Sequence, residues 1–169
     1  SDVCSSDLPT HKLPSWSYDN IRSLLEDREG SLWVGTTSGL NRFRTSKFIN
    51  YTSSDGLAND FVRAILEDSK GDFWVGTDGG GLSLFQNGKF TNYTTKDGLI
   101  SDLVRSLHED KEGKLWIGTN EGLSCFYNGK FTNYTTKDGL PHNSIYCINQ
   151  DREGNFWFGT NGGGVSLFK

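Results

Sequence analysis

Apolar and polar residues alternate along this chain in short runs, and no window keeps the spacing of an amphipathic helix. In the run "FVRAILED" at residues 61–68, the alternation places Val62, Ala64 and Leu66 on one face. Three more runs rich in β-branched and aromatic residues follow it, at residues 72–77, 82–86 and 89–95. A period of two, in segments bounded by Gly, Asn and Asp, is typical of β-strands. The pattern therefore predicts four short strands and almost no helix.

This group of four predicted strands recurs about every 41 residues. The segment "NGKFTNYTTKDGL" occurs at residues 87–99 and again, unchanged, at residues 128–140. One position of the repeat holds four of the five tryptophans: Trp33, Trp74, Trp116 and Trp157. An Asp-x-x-Gly segment precedes each of them, with the aspartates Asp27, Asp68, Asp110 and Asp151 and the glycines Gly30, Gly71, Gly113 and Gly154. The unit is a structural repeat, because its length varies at one loop only.

Two kinds of tight turn join the predicted strands. In Asp-x-x-Gly, between the first and second strands, the Asp side chain can accept hydrogen bonds from nearby backbone amides, while Gly takes the left-handed position. Asn87-Gly88 and Asn128-Gly129, between the third and fourth strands, suit a type I′ hairpin turn. The glycine triplets at 79–81 and 162–164 fall in the variable loop, where we expect them to serve turn geometry and not phosphate binding.

The predicted fold class is all-β. Four antiparallel strands repeated at this interval form the blades of a β-propeller. We expect a propeller fragment of about four four-stranded blades near residues 20–52, 61–95, 102–136 and 144–169, the last one strand short. A blade that is apolar on both faces must stack on a neighbour at each side, and the repeated tryptophan supplies a rigid wedge for that stacking.

The ends of the chain favour an open arc of a larger ring over a closed four-bladed ring. Residues 9–20 offer no strand that could complete the last blade. Residues 1–8, "SDVCSSDL", have no counterpart in the repeat, and we expect them to be a non-native, adapter-like leader outside the partial propeller at 9–169. An open arc exposes two blade faces. We therefore expect the isolated chain to associate through its ends.

Three short motifs follow one another in each unit, and together they resemble the two-component regulator propeller repeat across residues 13–169. They are E-D-x-x-G-x-[LF]-W-[VIF]-G-T, then G-[LV]-x-x-F, then K-F-x-x-Y-x-x-x-D-G-L. The resemblance implies the extracytoplasmic, periplasmic sensor region of a bacterial histidine kinase, a hybrid two-component system or a diguanylate cyclase. It further implies an oligosaccharide or other small ligand, together with more blades, a membrane-linked signalling domain and a homodimer in the parent protein. No catalysis, cofactor or metal is expected in this segment.

The charge of the chain and the positions of its cysteines and histidines exclude several kinds of binding partner and site. The formal net charge of −4, with no basic run, argues against binding to nucleic acid or an anionic membrane surface. Cys125 and Cys147 stand where the second repeat has Leu84 and Ala64, which predicts small apolar core residues and neither a metal pair nor a disulfide. His108 falls in a predicted strand, so we expect no phosphoacceptor role for it.

A recurring arginine is the main candidate for ligand binding. Arg22, Arg63 and Arg105 open the first strand of three repeats, and the fourth has Tyr146. Three arginines near the mouth of the channel could hold the carboxylate or sulfate groups of an acidic sugar. In the alternative, each arginine pairs with the aspartate three residues before it or with the aspartate of a "DGL" segment, namely Asp55, Asp97 or Asp138.

Residues that depart from the repeat consensus are further candidates, because structural need alone would keep the positions uniform. His142, Tyr146 and Trp16 are such departures, and their rings could stack on a sugar. Drift is the alternative explanation, and for Trp16 so is contact with another blade.

Two other functions remain open. The chain could be a fragment of a propeller enzyme, such as a lyase or a glycan-active protein, whose active residues lie in other blades. It could also belong to a secreted scaffold that binds protein partners.

Overall fold

The structure, a computed structural model, describes residues 19–45 and 47–168. Within these residues, fifteen strands form four antiparallel sheets. The strands are β1 (Ser23–Glu26), β2 (Leu32–Thr36), β3 (Gly39–Arg44), β4 (Lys47–Tyr51), β5 (Val62–Glu67), β6 (Phe73–Thr77), β7 (Leu82–Gln86), β8 (Lys89–Tyr93), β9 (Val104–Glu109), β10 (Leu115–Thr119), β11 (Leu123–Tyr127), β12 (Lys130–Tyr134), β13 (Ile145–Gln150), β14 (Phe156–Thr160) and β15 (Val165–Phe168).

Each sheet is one repeat unit with its strands side by side in chain order: β1–β4, β5–β8, β9–β12 and β13–β15, here called blades 1 to 4. The first strand of each blade packs against the first strand of the next, so we call β1, β5, β9 and β13 the inner strands. The prediction of all-β propeller blades, the last with three strands, is confirmed. Short 3₁₀ helices at Ser53–Asp55, Thr95–Asp97 and Thr136–Asp138 lie in the connectors between blades.

The hydrophobic core consists of three separate clusters, each sandwiched between two neighbouring blades. A tryptophan from the earlier blade is at the centre of each cluster. In each cluster, this tryptophan packs on a phenylalanine of the later blade, and the ring centroids of Trp74 and Phe126 are 5.5 Å apart. The ring centroids are 4.4 Å apart for Trp33 and Phe73, and 4.9 Å apart for Trp116 and Phe156. Burial of large aromatic side chains between sheets is therefore what holds consecutive blades together.

The four blades form an open arc, and no blade among the described residues packs on its two outermost faces. Trp33, Trp74 and Trp116 are at most 8% exposed, whereas Trp157 in blade 4 is 41% exposed. At the other end, Leu24 of blade 1 is 62% exposed. The tryptophans thus have equivalent surroundings in blades 1 to 3 only, because no described residue covers the last one.

A bulge in the inner strand corrects the predicted alternation. Val62 pairs with Thr77 and Ala64 pairs with Gly76, so Arg63 has no partner in the ladder. The extra residue reverses the parity: Val62 joins the cluster between blades 1 and 2, whereas Leu66 packs into the cluster between blades 2 and 3. The sequence placed both residues on one face, because an uninterrupted strand would do so.

The glycine two residues after each tryptophan marks where the next blade approaches. A Cβ at Gly35 would lie 2.6 Å from Cγ1 of Val62, and a Cβ at Gly76 would lie 2.5 Å from Cγ1 of Val104. A Cβ at Gly118 would similarly come within 2.8 Å of Cγ2 of Ile145. Only glycine therefore allows the branched residue of the next inner strand to seat against the sheet.

The aspartate of the Asp-x-x-Gly turn fixes the tryptophan. One carboxylate oxygen of Asp27 accepts hydrogen bonds from the backbone amides of Glu29 and Ser31, and the other accepts one from Trp33 Nε1 at 2.8 Å. The same bond between indole and carboxylate recurs in the other three units, from Trp74 to Asp68, from Trp116 to Asp110 and from Trp157 to Asp151. The Asp-x-x-Gly turn therefore fixes the position of the tryptophan that packs between the blades.

The glycine of the Asp-x-x-Gly turn sets the backbone conformation of that turn. Gly30, Gly71, Gly113 and Gly154 have φ values of 78°, 86°, 77° and 90°, which confirms the predicted left-handed position. Gly71 is nevertheless exposed, and a Cβ there would meet nothing nearer than Glu67 Oε1 at 4.0 Å. As a structural residue of the repeat, Gly71 therefore serves the backbone geometry of its own turn, and no close approach of a neighbouring blade requires a glycine there.

Hydrogen bonds in the turn lower the pKa of Asp27 and of Asp151. Burial of Asp27 opposes its ionisation, but the hydrogen bonds from Trp33 and Ser31 outweigh it and lower the pKa of this carboxyl. In Asp151, bonds from Asn155 and Trp157 lower the pKa to about 2. These carboxylates are therefore held in the ionised form.

At the same turn, a glutamate ties consecutive blades together. The Arg28 amide donates to Glu67 Oε2 at 3.0 Å, and Arg28 Nη2 donates to the carbonyl of Asp68 at 2.9 Å. Between blades 2 and 3, the Ser69 amide donates to Glu109 Oε2 at 2.6 Å. Blade 4 has Gln150 at the glutamate position, and its side chain instead donates to Gly154 O.

The two later cysteines differ from one another. Cys125 is buried in the cluster between blades 3 and 4, as expected, but Cys147 is exposed. Cys147 occupies the position of Ala64, which faces the following blade, and no described residue covers that side of blade 4. Both thiols are free. Burial raises the pKa of the Cys125 thiol.

In the described part of the chain, no helix is long and apolar enough to cross a membrane.

Candidate functional site

The candidate ligand residues lie where each connector enters an inner strand. We call this end of the blades the connector face. In two units, the aspartate three residues before the arginine secures the connector: Asp60 Oδ1 accepts from the Ser53 amide at 2.6 Å, and Asp102 Oδ1 accepts from the Thr95 amide at 2.7 Å. Asn143 does the same in the fourth unit, for the amide of Thr136. These side chains position the start of the inner strand.

The aspartates of the "DGL" segments are engaged within their own turns. Asp97 Oδ2 accepts hydrogen bonds from the amide and the hydroxyl of Thr94 at 2.8 and 2.9 Å. These bonds lower the pKa of Asp97, the backbone bond having the larger effect. Asp55 and Asp138 make the equivalent bonds to Thr52 and Thr135. Asp60, Asp102 and the "DGL" aspartates therefore serve the connectors, while Asp19 accepts a hydrogen bond from the Ser38 hydroxyl. Among the described residues, none of these aspartates forms an ion pair with Arg22, Arg63 or Arg105, as the alternative interpretation required.

The bulge sets the direction of the arginine position. Arg63, Arg105 and Tyr146 are each the residue omitted from the pairing between the inner strand and its neighbour. Bulges commonly re-aim a side chain away from the two faces of a sheet. Because both faces of a blade are filled by apolar packing, this is a position from which a polar side chain can reach the connector face.

The re-aimed residues form two aromatic–cation groups. Arg22 and Arg63 both lie against Phe61, with guanidinium carbons 5.4 and 4.9 Å from the ring centroid. Arg63 also forms an ion pair with Asp78 in the loop after β6. Arg105 lies 4.4 Å from the ring centroid of Tyr146. Contacts of this kind contribute about 0.5–1 kcal/mol each at exposed sites and hold the guanidinium plane in place.

Hydrogen-bonding capacity remains on these arginines. The Nε atoms of Arg63 and Arg105 are buried and lack a hydrogen-bond partner. Among the described residues, Arg63 is the member of this set that has an ion pair, so Arg22 and Arg105 keep an uncompensated charge. A guanidinium oriented by an aromatic ring can bind a carboxylate or sulfate through two parallel bonds.

The remaining candidate ligand residues are His142, Tyr146 and Trp16. His142 Nδ1 accepts a hydrogen bond from the Ser144 amide at 3.0 Å, so this ring nitrogen stabilises the connector. Tyr146 is 47% exposed. Trp16 lies outside the described residues. The structure brings Arg22 and Arg63 together around one ring and Arg105 together with Tyr146, and a ligand-binding role for all of these residues stays a prediction.

Sequence reasoning missed Phe61 and Asp78, which orient two of the arginines. Phe61 shares its repeat position with Leu103 and so resembled an ordinary apolar strand residue. Asp78 stands in the loop of variable length, where Asn120 and Asn161 occupy the same position in later units. The acidic departure from asparagine at that position was the signal that could have identified it.

A groove lies at the end of the blades opposite the connector face. This groove of about 260 Å³ between blades 2 and 3 is lined by residues of the tight turns, among them Lys70, Glu112, Tyr127 and Asn128. Its lining carries both signs of charge. In the described ranges, no three His, Cys, Asp or Glu side chains cluster as metal ligands.

A family model, described as "Two component regulator propeller", matches this chain four times, at residues 15–38, 56–79, 98–121 and 139–162. The last three matches each run from a connector through an inner strand and its tight turn to the loop after the second strand, and the first match ends in the same loop. These matches cover more than half of the chain. The chain is a β-propeller protein, and it belongs to the two component regulator propeller family.

Two similar solved structures are extracellular domains from B. thetaiotaomicron, both assigned to hybrid two component systems. The domain of BT3049 is 32% identical, with a TM-score of 0.80, over 88% of this chain and 21% of that chain. The domain of BT4673 is 26% identical, with a TM-score of 0.72, over 88% of this chain and 22% of that chain. The chain thus spans about a fifth of the length of these relatives.

More distant matches show the fold alone. Virginiamycin B lyase from Staphylococcus aureus is 17% identical, with a TM-score of 0.65, over 88% of this chain and 55% of that chain. No curated protein matches the chain.

Proposed function

We propose that this chain is part of a ligand-sensing propeller in the extracytoplasmic region of a two-component sensor of the histidine kinase type, with no catalysis of its own. The observation that supports this most strongly is the 32% identity, at a TM-score of 0.80, to the extracellular domain of BT3049. In the parent protein, the propeller is completed by further blades and linked to a membrane-bound signalling domain.

The proposed ligand is an oligosaccharide that carries carboxylate or sulfate groups, bound at the connector face. Arg22 and Arg105 supply positive charge without an ion pair, and Phe61 and Tyr146 hold the arginines in place. The exposed ring of Tyr146 and the half-buried ring of Phe61, each beside a guanidinium group, suit a sugar ring with an acidic substituent. Binding across two inner strands would shift the packing between blades, and the parent homodimer would pass that shift on to its output domain.

Isothermal titration calorimetry with sulfated, uronate-containing and neutral oligosaccharides tests the ligand class. We expect acidic oligosaccharides to bind and Arg105→Ala to weaken binding about 10- to 100-fold, the equivalent of losing a charge-assisted hydrogen bond. Arg152→Ala, which removes an arginine from the opposite end of blade 4, is the matched control and should leave affinity unchanged. Equal binding of neutral sugars, or an undiminished affinity in Arg105→Ala, would contradict the proposed site.

The sensor assignment has its own test, the gene sequence that flanks this segment in the parent. We expect a membrane span and a signalling domain to be encoded in the same chain. The enzyme alternative predicts instead that the intact parent turns over polysaccharide or lactone substrates, and a parent with turnover and no signalling domain would replace the sensor proposal.

A further inference from the structure

The groove between blades 2 and 3, at the end of the blades opposite the connector face, lies where the preceding unit carries an arginine. Blades 2 and 3 are both four-stranded, and each has a blade on either side, so the groove lies inside the arc. Trp74, Leu115 and Phe126 form part of its lining. At the corresponding place between blades 1 and 2, the side chain of Arg28 crosses from one turn to the next. The repeat therefore provides an occupied version of this groove.

The contacts of Arg28 show which groups of the next blade hold a guanidinium. Its Nη2 donates to the carbonyl of Asp68 at 2.9 Å, and its Nη1 donates to the carbonyl of Ser69 at 3.2 Å. Its Nε lies 3.9 Å from Oε1 of Glu67. Two main-chain carbonyls and one carboxylate thus surround the guanidinium. All of these groups are acceptors, which suits a cation that carries five N–H donors.

Blade 3 repeats these acceptors, but blade 2 supplies no arginine to them. Ser69 holds the repeat position of Arg28, and its amide and hydroxyl donate to Glu109 at 2.6 and 2.8 Å. The carbonyls of Asp110 and Lys111 hold the positions of the two carbonyls that Arg28 contacts. Among the described residues, no side chain donates to either of them. The acceptor set is therefore present at both interfaces, and its guanidinium at one.

The charges around the groove favour a cation. Between blades 1 and 2, the two turn carboxylates each have an arginine nitrogen 3.9 or 3.5 Å away. Between blades 2 and 3, the corresponding carboxylates, Glu109 and Asp68, form no ion pair within the described ranges. The lining further contains Glu112, whose partner is Lys114, and Lys70. Three carboxylates and one ammonium group thus line the groove, and this excess of negative charge attracts a cationic ligand.

We propose that this groove binds an arginine side chain presented by a polypeptide partner. The guanidinium takes the place that Arg28 has one unit earlier: it donates to the carbonyls of Asp110 and Lys111 and faces Glu109, while its alkyl stem lies along Phe126. A guanidinium fits this set better than an ammonium group, because its planar fork donates to two acceptors at once.

The charge of the groove also indicates the source of the arginine. A free amino acid would bring its α-carboxylate close to the carboxylates of the lining, which would repel it. In a polypeptide this carboxylate is part of an uncharged peptide bond. Ser69, Lys70 and Asn128, which frame the groove, are exposed, so a segment of polypeptide can lie across them.

An NMR titration of the 169-residue chain with the capped peptide acetyl-Gly-Arg-Gly-amide is the first measurement. We expect it to shift the amide signals of Glu112 and Gly113, at the groove. The counterpart with citrulline, which has the same length and no charge, should bind at least about 10-fold more weakly, because the charge-assisted hydrogen bonds are lost. Equal binding of the two peptides, or no binding of the arginine peptide, would overturn the proposal.

Two further ligands test the chemistry and the source. The lysine counterpart of the peptide should bind several-fold more weakly than the arginine peptide, because an ammonium group lacks the planar fork. Equal binding of the lysine peptide would show attraction by charge alone and overturn the proposed geometry. Free arginine should also bind more weakly than the capped peptide. Tighter binding of free arginine would assign the groove to an amino acid and overturn the polypeptide partner.

Ser69→Arg tests the groove from within the chain. This substitution gives blade 2 the arginine of blade 1, whose guanidinium should occupy the acceptors of blade 3 and weaken binding of the arginine peptide at least about 10-fold. Ser69→Ala is the matched control: it leaves the acceptors accessible and should retain binding. Position 69 is exposed, so both variants should fold, and circular dichroism checks this. Undiminished binding by Ser69→Arg would overturn the proposal.

Glu109→Gln tests the contribution of charge separately from shape. The amide oxygen of glutamine can still accept from the Ser69 amide, so the tie between the blades is retained, while the negative charge is lost. Binding of the arginine peptide should weaken about two- to five-fold, as expected for a partly exposed pair. Glu121→Gln, which removes an exposed carboxylate from the loop after β10, is the matched control. Equal affinities of the two variants would show that Glu109 does not face the ligand and overturn the proposed placement.

Discussion

At the residue scale, glycine and aspartate have the most specific roles in each unit. The glycine after the tryptophan is required by a contact with the next blade, since a Cβ there would collide with a branched side chain in each of the three internal interfaces. The aspartate of the tight turn is required by the indole nitrogen and the turn amides together. Both requirements explain why these positions do not vary among the four units.

The glycine contact gives a quantitative prediction. Gly76→Ala should lower the free energy of unfolding by about 1–3 kcal/mol, the cost of overpacking, because Val104 must move. Gly159→Ala is the matched control, since its Cβ would meet only Sγ of Cys147 on its own sheet, at 2.4 Å, and this exposed terminal atom can rotate away. Urea unfolding of both variants and of the unmodified chain measures the two costs. Equal costs would show that contact between blades is not the reason for the glycine.

At the element scale, the tight turn and the bulge have separate roles within a blade. The turn anchors the tryptophan for packing, while the bulge removes one side chain from the two packed faces and directs it to the connector face. The geometry of both features is set within one sheet. A ligand site can therefore vary at the bulge without altering the apolar positions that assemble the propeller.

The lowered pKa of Asp151 predicts that the folded chain loses stability at acid pH. The pKa of Asp151 is about 2 in the folded chain, against an ordinary value of 3.8, because Asn155 and Trp157 donate hydrogen bonds to the ionised form. The stabilisation is complete above 3.8 and is lost as the pH falls towards about 2. We expect Asp151→Asn to show a smaller decrease in Tm between about pH 5 and pH 2 than the unmodified chain, measured by circular dichroism. An identical decrease would contradict the role of this carboxyl.

At the scale of the whole molecule, stability comes from interfaces between blades, since each cluster draws its residues from two of them. Such an array behaves approximately as a chain of units coupled to their nearest neighbours. The cost of an identical substitution therefore depends on where along the arc the unit stands.

Trp74, which lies between two blades, and Trp157, which lies in the last blade, test this dependence on position along the arc. Trp74→Ala should cost about 3–5 kcal/mol of unfolding free energy, because its ring is clamped between blades 2 and 3. Trp157→Ala should cost much less, because the ring is 41% exposed and no described blade covers it. Both indoles donate to an aspartate at 3.0 Å, so the difference isolates the packing between blades. Similar losses in urea unfolding would refute this account.

The sequence by itself determined the blades. Period-two alternation, Asn-Gly and Asp-x-x-Gly turns and the spacing of the tryptophans are local or repeated signals, and the observed strands fall where these signals placed them. The left-handed backbone of Gly71 was predictable for the same reason, because a tight turn is a local structure. Burial of Trp33 and Cys125 could also be predicted, because a repeat position carries the same environment in each internal unit.

Only the tertiary structure decided three other matters. The bulge at Arg63 depends on the pairing register between two strands, which alternation in one strand cannot reveal. The partners of the arginines, Phe61 and Asp78, come from separate segments brought together by folding. The exposure of Trp157 and Cys147 depends on whether another blade follows. Each of these is a property of contact between distant residues, and a position within a repeat does not record what lies beside it.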